Sequence, residues 1–149
     1  MSEKCFICQK HSDEISVPGG AVYEDDLVFV GHRFPFPPDK PIENVYLGYF
    51  FVEPKRHVDS LADLTKAEAK QIGWITTRLG SALKTSEQAD HIYLFVLGQH
   101  GRHLHYHVAP RYPNAPRDYW GIHVDEWPDA PRGNTRDIEA ICQRIRNQM

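Results

Sequence analysis

The feature that most constrains this chain is the segment 102–110, in which apolar residues alternate with histidine. A period of two is typical of a β-strand, whose successive side chains point to opposite faces. We therefore expect His103, His105 and His107 to share one face of a strand. With nine histidines in 149 residues, three at this spacing arise by chance only about 0.03 times per chain, so composition does not explain the cluster.

The composition of the chain limits its class and its partners. Of its residues, 41% are hydrophobic and 25% are charged, which is typical of one ordinary globular domain. The formal net charge of −3 provides no basic field, so we expect no nucleic-acid partner. No apolar run approaches the roughly 20 residues that cross a bilayer, and the first residues lack the apolar stretch of a signal peptide. We therefore expect no membrane association and a cytoplasmic location.

The remaining sequence pattern predicts an antiparallel α+β domain. Short runs of apolar and β-branched residues, bounded by glycine, proline and aspartate, are typical of strands. Helical periodicity begins after Asp63 or Thr65, either of which can cap a helix, and returns after Asn134. We expect these helices to pack on one side of the sheet. The expected strands are residues 21–24, 27–31, 45–52, 92–97 and 102–110.

The C-terminal part of the chain is expected to be an extension of a single domain. That domain spans residues 1–149, with its core at about 5–120 and the extension at about 112–149. Several prolines without clear periodicity predict an irregular tail that ends in a helix. Trp120 and Trp127 lie in this tail, where packing is their expected role.

Three interpretations of the histidine cluster differ in their chemistry. Surface histidines on an exposed sheet face are common singly but rare as three in register. Zinc ligation is a second interpretation, although the three residues span roughly 13 Å along a strand, so only neighbours could easily share one ion. In the third, a neutral imidazole attacks phosphorus and forms a phosphoramidate that water later cleaves. That chemistry requires the other ring nitrogen to donate its hydrogen to a neighbour such as a backbone carbonyl.

The run from His103 to Ala109 resembles the His-φ-His-φ-His-φ-φ signature of the histidine triad (HIT) superfamily, in which φ is an apolar residue. The preceding Gly-Gln pair, the following Pro-Arg pair and the Pro-Lys-Arg-His turn that ends at His57 add to the resemblance. It implies an α+β meander of about five antiparallel strands with a long helix. It also implies a protein, usually a homodimer, that acts on small-molecule nucleotides without a catalytic metal.

The resemblance also implies roles for individual residues. His105 corresponds to the family's nucleophile, which attacks the α-phosphorus and is transiently nucleotidylated. His103 and His107 correspond to its supporting histidines. Gln99 corresponds to a side chain that contacts the reacting phosphate and helps to place water. We therefore name all four as candidate catalytic residues, and Gln99 and His107 also as candidate nucleotide contacts.

Two positions depart from the family pattern. His100 stands where the family often has a small hydroxyl residue, so a general acid and a solvated loop residue are both open roles for it. His32 stands where the family tends to have an Asp or Asn for the ribose hydroxyls, and we name it as a candidate nucleotide contact. The preference for a leaving group and the recognition of ribose are therefore open.

The Cys-X-X-Cys motif at Cys5 and Cys8 predicts a metal clip. The cysteine count of three is odd, which argues against a disulfide framework. The motif resembles the N-terminal pair of bacterial HIT proteins that carry structural zinc, which implies that His57 and His103 complete a closed tetrahedral site. Ordinary reduced thiols are the alternative, and His11 is a competing ligand. A zinc-bound His103 would leave the catalytic work to the other two histidines of the triad.

The leading functional hypothesis is a nucleotide hydrolase or nucleotidyltransferase. Its expected substrates are dinucleoside polyphosphates or nucleoside phosphoramidates, cleaved at the α-phosphate through a covalent nucleotidyl-histidine intermediate. A non-catalytic nucleotide-binding or regulatory module and a histidine-rich zinc-binding protein are the alternatives.

Overall fold

The computed structural model describes residues 4–35, 40–99 and 101–149. His100, whose role the sequence left open, lies outside the described residues. Within the described part of the chain, no helix is long and apolar enough to cross a membrane.

A five-stranded antiparallel sheet organises the fold, as the sequence predicts. In chain order the strands are β1 (Ala21–Glu24), β2 (Val28–His32), β3 (Val45–Tyr46), β4 (Phe50–Pro54), β5 (His91–Phe95), β6 (Tyr106–Arg111) and β7 (Arg132–Gly133). The main sheet has the order β1-β2-β4-β6-β5, while β3 and β7 pair separately. Strand β6 therefore lies inside the sheet, between β4 and the edge strand β5.

Among the described residues, three α-helices accompany the sheet: α1 (Phe6–His11), α2 (Lys66–Glu87) and α3 (Thr135–Arg146). Thr65 caps α2 in a capping box with Glu68, and Asn134 caps α3 in the same way with Asp137. Both long helices bury one apolar stripe against the same face of the sheet. The fully buried stripe residues are Ile72, Ile75, Leu79, Leu83, Ile138, Ile141 and Ile145.

The C-terminal segment covers part of the opposite face of the sheet. Its Val124 and Ala130 are buried there against tyrosines from the strands and their connections. Trp127 packs against the same cluster, as expected, whereas 38% of Trp120 is exposed. The packing role expected for Trp120 is therefore only partly correct.

The single strand expected at residues 45–52 is wrong, because the chain breaks at Gly48. This glycine has a φ of +86°, a left-handed conformation that side chains disfavour. A Cβ at this position would lie 2.8 Å from the hydroxyl oxygen of Tyr112 and 2.9 Å from the ring of Pro110. The chain consequently forms β3 in the small sheet and β4 in the main sheet.

The strand expected at residues 102–110 is shorter than the alternation predicts. Strand β6 begins at Tyr106, so His103 and His105 precede it in irregular structure. Leu104 donates its backbone N–H to the carbonyl of Val58 rather than to a strand of the sheet. The three histidines therefore do not share one strand face.

Candidate active site

His105 and His107 form the centre of the site. Their ring centroids lie 4.8 Å apart, and both rings meet the ring of Phe51 edge-on, at 5.2 and 4.9 Å. Phe51 lies opposite His107 in the pairing of β4 with β6. The two imidazoles therefore stand side by side on the sheet face that the long helices leave open.

The orientation of the His105 ring is set by a backbone hydrogen bond. Its Nδ1 lies 2.8 Å from the carbonyl oxygen of His103, an acceptor that requires the hydrogen to be on Nδ1. A neutral ring then carries its lone pair on Nε2. This is the tautomer that attack on phosphorus requires.

His107 has a partner that the sequence did not reveal. The Tyr49 hydroxyl lies 3.0 Å from Nδ1 of His107, and the guanidinium of Arg33 stacks 3.8 Å above the Tyr49 ring. Arg33 in turn forms a 2.8 Å ion pair with Asp125 of the C-terminal segment. Burial and, to a smaller extent, Asp125 raise the pKa of the Tyr49 hydroxyl, so it is protonated and can donate. No local sequence signal marked this chain of contacts.

His103 turns away from the other two histidines. Only 2% of it is exposed, and its Nε2 donates to the Pro54 carbonyl at 2.7 Å. Its Nδ1 faces the cysteine pair, at 3.4 Å from the Cys5 sulfur and 3.5 Å from the Cys8 sulfur. Burial lowers the pKa of His103, which favours the neutral ring that a metal ligand needs.

The four predicted metal ligands meet in one cluster. The ligand atoms of Cys5, Cys8, His57 and His103 all lie within 4.8 Å of one another, and the Cys8 sulfur is 3.5 Å from Nδ1 of His57. Bonds of about 2.3 Å to sulfur and about 2.0 Å to nitrogen place such atoms roughly 3.5 Å apart in tetrahedral zinc sites. The cluster is therefore compatible with zinc, and the Pro54 carbonyl fixes the His103 ring from outside it. Burial, Cys5 and Glu53 raise the pKa of the Cys8 thiol to about 11.

His11, the competing ligand, is engaged elsewhere. Its Nε2 lies 2.8 Å from the carboxylate of Glu53, which also binds the Lys10 ammonium. Glu53 is fully buried, and Lys10 is 97% buried. Burial works to raise the pKa of the Glu53 carboxyl, but the hydrogen bonds and charges of His11 and Lys10 outweigh it and lower that pKa. This buried ion cluster ties α1 to β4, and the sequence pattern did not predict it.

His32 is placed where it cannot bind ribose, so its assignment as a nucleotide contact is wrong. Only 1% of it is exposed, and both ring nitrogens are occupied. Nδ1 donates to the Arg33 carbonyl at 2.6 Å, and Nε2 accepts the Gly48 N–H at 2.9 Å. Burial lowers the pKa of His32 to about 4, so the ring is neutral and serves to brace the strand break.

Gln99 lies exposed in the connection between β5 and β6, beside Gly98 and close to Gly101. Both glycines have a positive φ, a backbone conformation that glycine adopts without strain. They line a cavity of about 390 Å³ together with His103 and His105. A cavity of this size is sufficient for a small ligand.

The sequence and the fold of this chain are similar to those of known proteins. The HIT domain family model matches residues 16–114. The chain is 27% identical to "Protein hit" of Bacillus subtilis over 159 aligned residues, with 99% of this chain and 96% of the relative covered.

Two solved structures have a similar fold. A Hit-like protein involved in cell-cycle regulation from Bartonella henselae has a TM-score of 0.71 and 21% identity, with 100% of this chain and 99% of the other covered. A Zn-bound histidine triad family protein from Mycobacterium smegmatis has a TM-score of 0.70 and 21% identity, with 97% and 92% covered. At this identity the two structures support the fold alone.

Proposed function

Because the chain belongs to the HIT domain family, we propose that it is a nucleotide hydrolase or nucleotidyltransferase acting at the α-phosphate. The observation that carries the proposal is the 2.8 Å hydrogen bond from Nδ1 of His105 to the His103 carbonyl. It leaves the Nε2 lone pair available for attack on phosphorus. The substrates we propose are dinucleoside polyphosphates and nucleoside phosphoramidates.

The proposed reaction has two steps. Nε2 of His105 forms a bond to the α-phosphorus while the bond from phosphorus to the leaving oxygen or nitrogen breaks, and the leaving group takes that electron pair. Water, or another acceptor hydroxyl, then attacks the same phosphorus and displaces the imidazole. The first acceptor yields a nucleoside monophosphate, and the second yields a transferred nucleotide. In either case the enzyme returns to its starting state.

The neighbouring residues support these steps. His107 lies 4.8 Å from His105 between ring centroids, so it can donate to a phosphate oxygen as negative charge develops there. Gln99 is proposed from the family resemblance to contact the same phosphate and the attacking water. His103 contributes its backbone carbonyl rather than its ring, which lies in the cluster with Cys5, Cys8 and His57.

The test is turnover of labelled adenosine polyphosphates and phosphoramidates by the wild type, His105→Ala and His105→Asn, each with and without a chelator. We expect chelator-resistant hydrolysis that both variants lose. His123→Asn, an exposed histidine of the C-terminal segment, is the matched control and should keep full activity. Binding without turnover in the wild type would instead support a nucleotide-binding or regulatory module. Activity that depends on added metal would support a zinc-binding protein with a different chemistry.

We also propose that Cys5, Cys8, His57 and His103 hold a structural zinc ion. A closed set of two thiolates and two imidazoles suits structure rather than catalysis. Bound zinc would fix α1 against the segment that precedes His105. Metal analysis of purified protein should give one zinc per chain in the wild type and less in Cys5→Ser, and equal contents would dismiss the site.

A homodimer and a cytoplasmic location complete the proposal. The edge strand β5 leaves Leu94 51% exposed, and Val96 after it is 42% exposed, which is an apolar edge of the kind that partner chains cover. Light scattering should report twice the chain mass. A monomer at micromolar concentration would contradict the dimer.

A further inference from the structure

The C-terminal segment reaches the histidine site through a line of three side chains. The carboxylate of Asp125 pairs with the guanidinium of Arg33 at 2.8 Å, and that guanidinium stacks 3.8 Å from the centre of the Tyr49 ring. The Tyr49 hydroxyl in turn contacts Nδ1 of His107 at 3.0 Å. Asp125 lies beyond residues 16–114, the part of the chain that matches the HIT domain family. A residue of the C-terminal extension is therefore connected to the centre of the site.

Packing of the C-terminal segment anchors Asp125. Val124, the residue before it, is 1% exposed, and the backbone carbonyl of Asp125 accepts a hydrogen bond from the guanidinium of Arg132. Arg132 also donates to the carbonyls of Trp127 and Asn44. The backbone that carries the Asp125 carboxylate is thus held by the protein itself, independently of any substrate.

Asp125 is the residue that places Arg33 over the Tyr49 ring. Within residues 4–35, 40–99 and 101–149, no other carboxylate forms an ion pair with Arg33. The two paired side chains are 28% and 25% exposed, and a pair this exposed contributes little to the stability of a domain. Loss of the pair would free the long Arg33 side chain to leave the ring while the domain stays folded. The pair therefore matters more to the site than to the fold.

The hydroxyl of Tyr49 decides which nitrogen of His107 carries hydrogen. Phe51 contacts the Tyr49 ring edge-on, with centroids 6.1 Å apart, while Arg33 covers a face of it. A hydroxyl that donates to Nδ1 makes this nitrogen an acceptor, so the neutral His107 ring carries its hydrogen on Nε2. His105 carries its hydrogen on Nδ1, so the two neighbouring rings hold opposite tautomers. A ring that accepts at Nδ1 still donates from Nε2, and the proposed role of His107 requires a donor.

We propose that Asp125 is a positioning residue of the histidine site. Through Arg33 it keeps the Tyr49 ring in place, and the Tyr49 hydroxyl in turn fixes the orientation and the tautomer of His107. The inference rests on the proposed function, in which His107 donates to a phosphate oxygen. It gives a residue outside the matched family core an effect on the reaction.

The test is a double-substitution cycle with diadenosine tetraphosphate as the substrate. Asp125→Asn removes the charge at nearly constant shape and should lower kcat roughly three-fold with KM unchanged, less than the about five-fold effect of losing the Tyr49 hydrogen bond. In the Tyr49→Phe background, Asp125→Asn should cause no further loss, because the line of contacts is already broken. Arg33→Gln should behave as Asp125→Asn does. Glu126→Gln removes the neighbouring carboxylate, whose partner is the exposed His123, and as the control should change neither constant.

A second measurement does not depend on turnover. Nitrogen NMR of the free protein at about pH 8, where an ordinary histidine ring is neutral, should show the hydrogen of His107 on Nε2 in the wild type. Asp125→Asn should increase the share of the other tautomer, and Glu126→Gln should not. The signal is assigned with His107→Asn, which removes it.

Other outcomes overturn the inference. A further loss of kcat when Asp125→Asn is added to Tyr49→Phe would mean that Asp125 acts by another route. Unchanged kcat in both Asp125→Asn and Arg33→Gln would mean that the line of contacts only packs the C-terminal segment. If the wild type does not cleave the substrate, the proposed function fails for it, and the NMR measurement still decides the positioning role. A tautomer of His107 that Asp125→Asn leaves unchanged would then exclude that role.

Discussion

Replacing Glu53 by glutamine should strongly destabilise the protein. The carboxylate is fully buried and receives Lys10 and His11, whose side chains are 3% and 8% exposed. Glutamine has nearly the same shape but no charge, so the Lys10 ammonium would lose its counter-ion in a buried position. Removing one partner of a buried pair costs about 3–5 kcal/mol. For a domain of this size that corresponds to a fall in Tm of roughly 10 °C.

The assay is urea denaturation of both proteins with a chelator present, so that metal binding does not contribute. Glu24→Gln is the matched control, because Glu24 pairs with Lys55 at 2.8 Å in a partly exposed position. Such surface pairs contribute only about 0–1 kcal/mol. If Glu53→Gln lowered the free energy of unfolding by no more than Glu24→Gln does, the reasoning would be refuted.

The buried contacts of Glu53 with Lys10 and His11 also predict that the stability of the protein depends on pH. The folded protein lowers the pKa of Glu53, so its contribution to stability is present above the unfolded carboxyl pKa of about 4.3 and is lost as pH falls toward the folded value. The stability difference between wild type and Glu53→Gln should therefore shrink below about pH 4. A difference that stayed constant across this range would show that the charge of Glu53 is not its source.

Three further substitutions test other parts of the structure. Tyr49→Phe removes the hydroxyl beside Nδ1 of His107 and should lower kcat/KM roughly five-fold, the effect of losing one hydrogen bond of about 1 kcal/mol, while Tm changes little; steady-state kinetics and a thermal scan measure the two quantities. Gly48→Ala places a Cβ at φ +86° and 2.8 Å from the Tyr112 hydroxyl, and urea denaturation should show a loss of about 1–3 kcal/mol. Thr65→Ala removes the cap of α2 and should cost about 1 kcal/mol in the same assay, whereas an unchanged midpoint would contradict the capping role.

Local features of the structure were predictable because local chemistry decides them. The apolar stripes of α2 and α3 follow from helical periodicity, and their starts follow from the capping side chains of Thr65 and Asn134. The strands β1, β2 and β5 follow from short apolar runs separated by turn residues. The resemblance to the HIT family correctly predicted that Cys5, Cys8, His57 and His103 lie together in one cluster.

The sequence by itself determined that three histidines alternate with apolar residues. This alternation predicts a strand that passes through or beside them. Only the tertiary structure decided that His103 leaves this strand, because its ring is held by groups 98, 95 and 49 residues away in the chain. Tyr49 lies 58 residues from its partner His107, and Lys10 lies 43 residues from its partner Glu53. A periodic pattern reports how each side chain faces its own backbone, whereas these contacts depend on which segments pack together, and no local pattern carries that information.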